Sequence, residues 1–139
     1  MMLSKTKRFT LLLLSVMLLL STTVCATVYP LSETDKITLT LSFSSGQALC
    51  RGSVLGDSGT TSIIAYCTLY EVDTSDNTLS EVESFPAVSS PSNMPGRLNF
   101  SHTSYDCEQG KTYYLTCTAH VTINGVTEIV SESITKRYA

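Results

Sequence analysis

The chain has no tryptophan, no C-x-x-C pair, no cluster of basic residues beyond its first eight positions and little charge of either sign, 15% of its 139 residues. Each shortage removes a class. Without paired C-x-x-C spacings, a zinc ribbon or a thioredoxin-like dithiol is excluded. Without a basic patch, the chain is a poor partner for nucleic acid or anionic lipid. No stretch shows helical hydrophobic periodicity over three turns, and only the N-terminal one is a long apolar run. The length holds one core, not a dinucleotide-binding domain with a partner lobe or a (β/α)8 barrel.

The apolar run lies at the front. Lys5, Lys7 and Arg8 precede the run TLLLLSVMLLLS, and Val24-Cys25-Ala26 follows with small residues. That order describes a secretory signal peptide over residues 1–26. The run is shorter than the ~20 residues a spanning helix needs. An uncleaved anchor and a lipid-modified Cys25 are the alternatives. Cleavage leaves 113 residues with 6 basic against 12 acidic side chains. The product is an acidic, extracellular domain, expected to be monomeric and away from membranes. Four cysteines then remain, Cys50, Cys67, Cys107 and Cys117. An even number in a small exported domain points to disulfides, in any of three connectivities.

After a polar leader at 27–35, period-two alternation takes over. Ile37, Leu39, Leu41 and Phe43 share one face of a strand at 36–44, with Thr and Ser on the other. Further strands are expected at 48–54, 62–73, 78–85, 97–104, 111–123 and 126–134. Residues 62–73 are apolar on both faces, as a central or doubly covered strand would be. Residues 74–77 (TSDN) are turn chemistry, and residues 86–96, with three prolines, form the one extended loop. At the last hairpin, a two-residue Asn124-Gly125 loop would set Glu128 opposite Val121 on the inner face. A three-residue loop, 124–126, would set Ile129 there and turn Glu128 outward. Burying a carboxylate is costly, so the three-residue loop is expected. About seven short strands without a helix predict an all-β fold, a single antiparallel sandwich over 36–139.

The strand order fits the A-B-C-C′-E-F-G layout and resembles an immunoglobulin-like or fibronectin-III-like domain. Cys50 and Cys117 fall at mid-strand where immunoglobulin domains place their inter-sheet bridge. The resemblance implies Cys50–Cys117 and, with it, Cys67–Cys107; the rival joins Cys50 to Cys67 and Cys107 to Cys117. Departures are plain: the third strand has no tryptophan, and Leu115 stands where a tyrosine would precede the second cysteine by two. Tyr113, on the same face, is placed for a related part. The runs ITLTLSFSSGQALCRGSV, SIIAYCTLYEV, EQGKTYYLTCTAHV and NGVTEIV also resemble small secreted β-sandwich proteins of Gram-positive gut bacteria. That group has no established activity, so this resemblance implies export and fold and assigns no site.

Several clusters invite a chemical reading. Gly56-Asp57-Ser58-Gly59 matches a serine-protease nucleophile motif, but His102 and His120 both follow Ser58 and the chain is too small for two barrels. His102, near Ser101 and Asp106, reads as a strand residue at a phase break, and His120 as a surface histidine. Zinc ligation by His102, His120, Cys107 and Cys117 lacks ligand spacing. Asp73, Asp76 and Asn77 read as turn formers, not calcium ligands. Asn99-Phe100-Ser101 is a glycosylation sequon within a strand. No cofactor, metal or catalytic residue is assigned. Tyr66, Tyr70 and Tyr114 remain, on the non-core faces of two neighbouring strands, where exposed aromatics commonly hold a protein or a glycan. The expectation is a non-catalytic secreted binding module with a protein or glycan ligand. A secreted antagonist, such as an inhibitor or bacteriocin-like protein, is the alternative, with a small hydrolase last.

Overall fold

A computed structural model describes residues 36–139. The expected signal peptide, the leader at 27–35 and Cys25 lie outside the described residues. Eight strands follow in order: β1 (Lys36–Ser44), β2 (Gln47–Leu55), β3 (Thr60–Asp73), β4 (Thr78–Ser84), β5 (Val88–Ser89), β6 (Arg97–Ser104), β7 (Thr112–Ile123) and β8 (Val126–Arg137). They form two antiparallel sheets, a three-stranded one in the order β1-β2-β6 and a five-stranded one in the order β4-β3-β7-β8 with β5 also on β3. Among the described residues there is no helix, and none long and apolar enough to cross a membrane. The added strand, β5, is a two-residue rung within the proline-rich loop, pairing Ile64 with Ser89 and Ala65 with Val88.

Alternation builds both inner faces. β1 buries Ile37, Leu39 and Leu41 and exposes the threonines between them. β2 contributes Ala48, Cys50 and Val54; β3 contributes Ile63, Ala65, Cys67 and Leu69; β7 contributes Tyr113, Leu115, Cys117, Ala119 and Val121. β3 is the central strand, between β4/β5 and β7, and its second face, from Ile64 to Tyr70, is left half-exposed. On the inner face of β2, Gly52 lies opposite Phe100, whose ring fills the space a Cβ at Gly52 would take, only 2.0 Å from the ring tip.

Turns set the registers. Ser45 and Gly46 both have positive φ (52° and 75°), a two-residue hairpin whose twist matches that of the strands. The last hairpin corrects the expectation. Val121 pairs with Glu128 and Ile123 with Val126, so the loop is Asn124-Gly125, with φ of 52° and 75°. Ile129 is 60% exposed, and Glu128 lies on the inner-facing side yet only half-buried. β8 is an edge strand, which leaves the Glu128 side chain half-exposed, although its Oε2 is covered from solvent. The Asn-Gly pair, which adopts left-handed φ at low cost, decides the loop.

One end of the sandwich is plugged by aromatics. Phe43 stacks on Tyr138 at 4.8 Å and tilts against Tyr113 at 5.3 Å. The Tyr138 hydroxyl accepts the Gly46 N–H at 3.0 Å, and its backbone N–H donates to the Lys111 carbonyl at 2.8 Å. The final strand therefore runs past residue 134, to Arg137, to deliver this residue. Tyr113 is fully buried, and its hydroxyl accepts the Glu108 N–H at 2.7 Å. A tyrosine at the start of a strand, bonded to backbone just upstream, pins the crossing between the sheets as a tyrosine corner does.

Candidate functional site

The outer face of the β4-β3-β7-β8 sheet gathers the three tyrosines. Register pairs Tyr70 with Tyr114 and Tyr66 with Thr118, and Ile64 with His120 diagonal to Tyr66. The Tyr70 and Tyr114 rings lie 6.2 Å apart, tilted by 39°. Tyr66 leans on the His120 ring at 5.1 Å and is 46% exposed. His120, expected as a solitary surface histidine, is thus a member of the aromatic group. Between the rings the face carries hydroxyls. Thr68 bonds Ser84 and Thr118 bonds Ser131, each at 3.1 Å, and Thr122 bonds Thr127 at 2.9 Å. Beside Tyr114 a shallow groove of about 410 Å³ runs between β7 and β8, with Thr116, Thr118, Ser131 and Ser133 along it. Two carboxylates border these groups: Glu81, opposite Tyr70, accepts from Ser84 Oγ at 2.9 Å, and Glu132 lines the groove beside Tyr114; Arg137 stands opposite Thr112. Aromatic rings separated by hydroxyls offer flat apolar contact together with donors and acceptors.

A second cleft opens where the two sheets part on the β6 side. It has about 150 Å³ and is lined by Ala65, Cys67, Phe85, Pro86, Val88, Phe100, Ser101 and His102. His102 stacks on Phe85 at 4.0 Å and its Nε2 meets Glu83 Oε1 at 3.0 Å. The strand holds its phase here: Leu98, Phe100, His102 and Ser104 all turn inward, so the expected phase break is absent, and the chain leaves alternation only at Tyr105. The His102–Glu83 contact clips the edge of one sheet to the edge of the other. Cys67, in the cleft wall, is engaged with Cys117, and that contact, with burial, raises its thiol above the ordinary value.

Among the described residues the four cysteines, Cys50, Cys67, Cys107 and Cys117, are free and buried, and no disulfide joins them. The expected Cys50–Cys117 and Cys67–Cys107 pairing is not what the register presents. β3 and β7 are hydrogen-bonded neighbours, and Cys67 faces Cys117 directly within one sheet, approaching to 3.2 Å. Cys50 belongs to the opposite sheet, across from His102, and Cys107 sits after β6, its N–H bonded to the Gly46 carbonyl at 3.1 Å. Burial, with Cys107 and Glu83 nearby, pushes the Cys50 thiol up to about 12.

The remaining motifs are accounted for locally. In the β2–β3 loop, Thr60 donates from N and Oγ1 to the Asp57 carbonyl at 3.1 and 2.6 Å, and Gly59 takes φ of 93°, leaving Ser58 exposed at the tip. Both histidines are engaged elsewhere. Asp73 accepts from Ser75 N and Oγ at 2.9 and 2.6 Å, and Asp76 from Thr78 N and Oγ1 at 3.0 and 2.7 Å. These carboxylates close their own turn, and among the described residues no group of three or more His, Cys, Asp or Glu could hold a metal. Asn99 is exposed on β6. No protein-family model matches the chain, and no curated protein does so significantly.

The sequence reading missed the Glu83–His102 clip and the Tyr138 plug. Glu83 falls after a bulge at Val82, where β4 slips one residue against Leu69 and Tyr70, so period-two counting could not give its side. Tyr138 lay beyond the last alternating run.

Proposed function

We propose that the protein is a non-catalytic binding module, exported by its N-terminal signal-like segment, that holds a protein or glycan ligand on the outer face of the β4-β3-β7-β8 sheet. The observation that carries this reading is the gathering of Tyr66, Tyr70, Tyr114 and His120 on one open, hydroxyl-rich face. A sheet face that serves only as a wall to solvent is under no pressure to display rings in register; a face that binds uses them for area at low entropic cost. We assign the fold to the immunoglobulin-like, fibronectin-III-like architecture. The strand order β1-β2-β6 against β4-β3-β7-β8 corresponds to A-B-E against C′-C-F-G, and the corner at Tyr113 supports the same assignment.

An oligosaccharide array and a panel of purified cell-surface proteins probed with the labelled chain test the binding face. A ligand captured by the wild type should lose at least about tenfold in affinity to Tyr66→Ala/Tyr114→Ala, roughly 1.4 kcal/mol or more. The double variant should keep the wild-type circular dichroism spectrum, since both rings lie outside the core. Undiminished binding by that variant rejects the tyrosine face.

A further inference from the structure

The four cysteines are not scattered through the core. Cys67 and Cys117 stand directly opposite each other on β3 and β7, both buried, at 3.2 Å. Opposed residues of an antiparallel pair have Cα atoms ~4.5–5.5 Å apart, and a disulfide takes Cα separations of ~4.4–6.8 Å. The backbone thus already has the spacing a bridge requires, and a small rotation of the two side chains brings the sulfurs together. A bridge from Cys50 to Cys117 would instead have to draw together sheets that pack ~10 Å apart. The neighbouring inward residues Ala65 and Ala119 are small and also opposite each other, so the rotation meets little resistance.

We propose that Cys67 and Cys117 are an oxidation site, closing into a cross-strand disulfide that ties β3 to β7 directly beneath the tyrosine-bearing face. The oxidant is a disulfide of the export compartment or medium, either a small-molecule disulfide such as oxidised glutathione or that of a thiol oxidoreductase. One cysteine, as thiolate, attacks a sulfur of the oxidant and displaces one oxidant thiol, giving a mixed disulfide. The second cysteine, deprotonated in turn, attacks the first cysteine's sulfur and displaces the second oxidant thiol. Two electrons and two protons pass from the cysteine pair to the oxidant, which leaves as two thiols. Both sulfurs are covered in the closed sandwich, so the exchange occurs when β3 and β7 have paired but β1-β2-β6 has not yet packed over them. The bridge constrains a loop of about 50 residues in the unfolded chain. The inference does not depend on what the outer face binds.

The full chain, reduced and unfolded and then refolded with oxidised and reduced glutathione, provides the test by non-reducing digestion and mass spectrometry. The expected result is one cross-linked peptide pair containing Cys67 and Cys117, two hydrogens lighter than the separate peptides. Recovery of Cys67 joined to Cys50 or Cys107, or of Cys67 and Cys117 both alkylated from the refolded protein, overturns the proposal. Thermal unfolding gives an independent reading. Oxidised wild type should melt roughly 10–20 °C above the reduced form. That gap should persist in Cys50→Ala/Cys107→Ala and vanish in Cys67→Ala/Cys117→Ala; the reverse pattern assigns the stabilising bridge elsewhere and also overturns it.

Discussion

Tyr113 shows how much one side chain can hold. Its ring fills the plugged end of the core against Phe43, and its hydroxyl satisfies the Glu108 N–H where the chain crosses from β6 to β7. Tyr113→Phe keeps the ring and removes the acceptor from a partly buried donor. The expected cost is about 1–3 kcal/mol, seen as a lower urea midpoint with an unchanged slope. No change in midpoint would mean that water replaces the hydroxyl without loss. Sequence pattern placed Tyr113 on the inner face correctly. That its hydroxyl reaches Glu108 depends on the path of the intervening loop, which no periodicity records.

At the scale of elements, the β2–β6 pair carries the clearest size constraint. Phe100 occupies the position above Gly52, where a Cβ would come within 2.0 Å of the ring. Gly52→Ala should therefore destabilise the domain by about 1–3 kcal/mol through overpacking, although alanine is ordinarily the better strand residue. Combining it with Phe100→Leu should restore part of the loss by chemical denaturation, because the pair shares one space; simple additivity of the two changes would exclude that account. The β7–β8 hairpin carries the opposite lesson. Hydrophobic pattern favoured Ile129 inside, yet Asn124-Gly125 imposed its two-residue loop and set Glu128 there. Gly125→Ala should cost about 1 kcal/mol, because its φ of 75° disfavours any side chain; an unchanged denaturation midpoint would show that the turn relaxes.

For the molecule as a whole, the buried Cys50 thiol makes the stability of the reduced protein fall in alkali. The Cys50 thiol is pushed from 9.0 up to about 12, chiefly by burial and further by Cys107 and Glu83. A group whose folded pKa is raised contributes its full stability below the unfolded value and loses it as pH rises towards the folded one. Reduced protein, kept in excess reductant, should therefore lose stability steadily between pH 9.0 and about 12. Cys50→Ala should flatten part of that slope in urea titrations at fixed pH values, and an unaltered slope would place the effect on other groups.

What the sequence determined by itself was the all-β class, the positions of every strand but the two-residue β5 within a few residues, and the inner and outer sides of the long strands. These follow from period two, which is a local property. It also carried Tyr66, Tyr70 and Tyr114 to one side of their strands, since alternation fixes side even when partners are unknown. The expected adjacency of the Tyr66 and Tyr114 strands holds, but tertiary structure alone decided the register between strands and which edges meet. That choice set Cys67 against Cys117 instead of Cys50, brought His120 to Tyr66, drew His102 and Glu83 together across the open edge, and brought Tyr138 back over Gly46. Each is a long-range pairing set by sheet order, bulges and loop closure, and residues far apart in a chain carry no mark of their partner until the sheets pack.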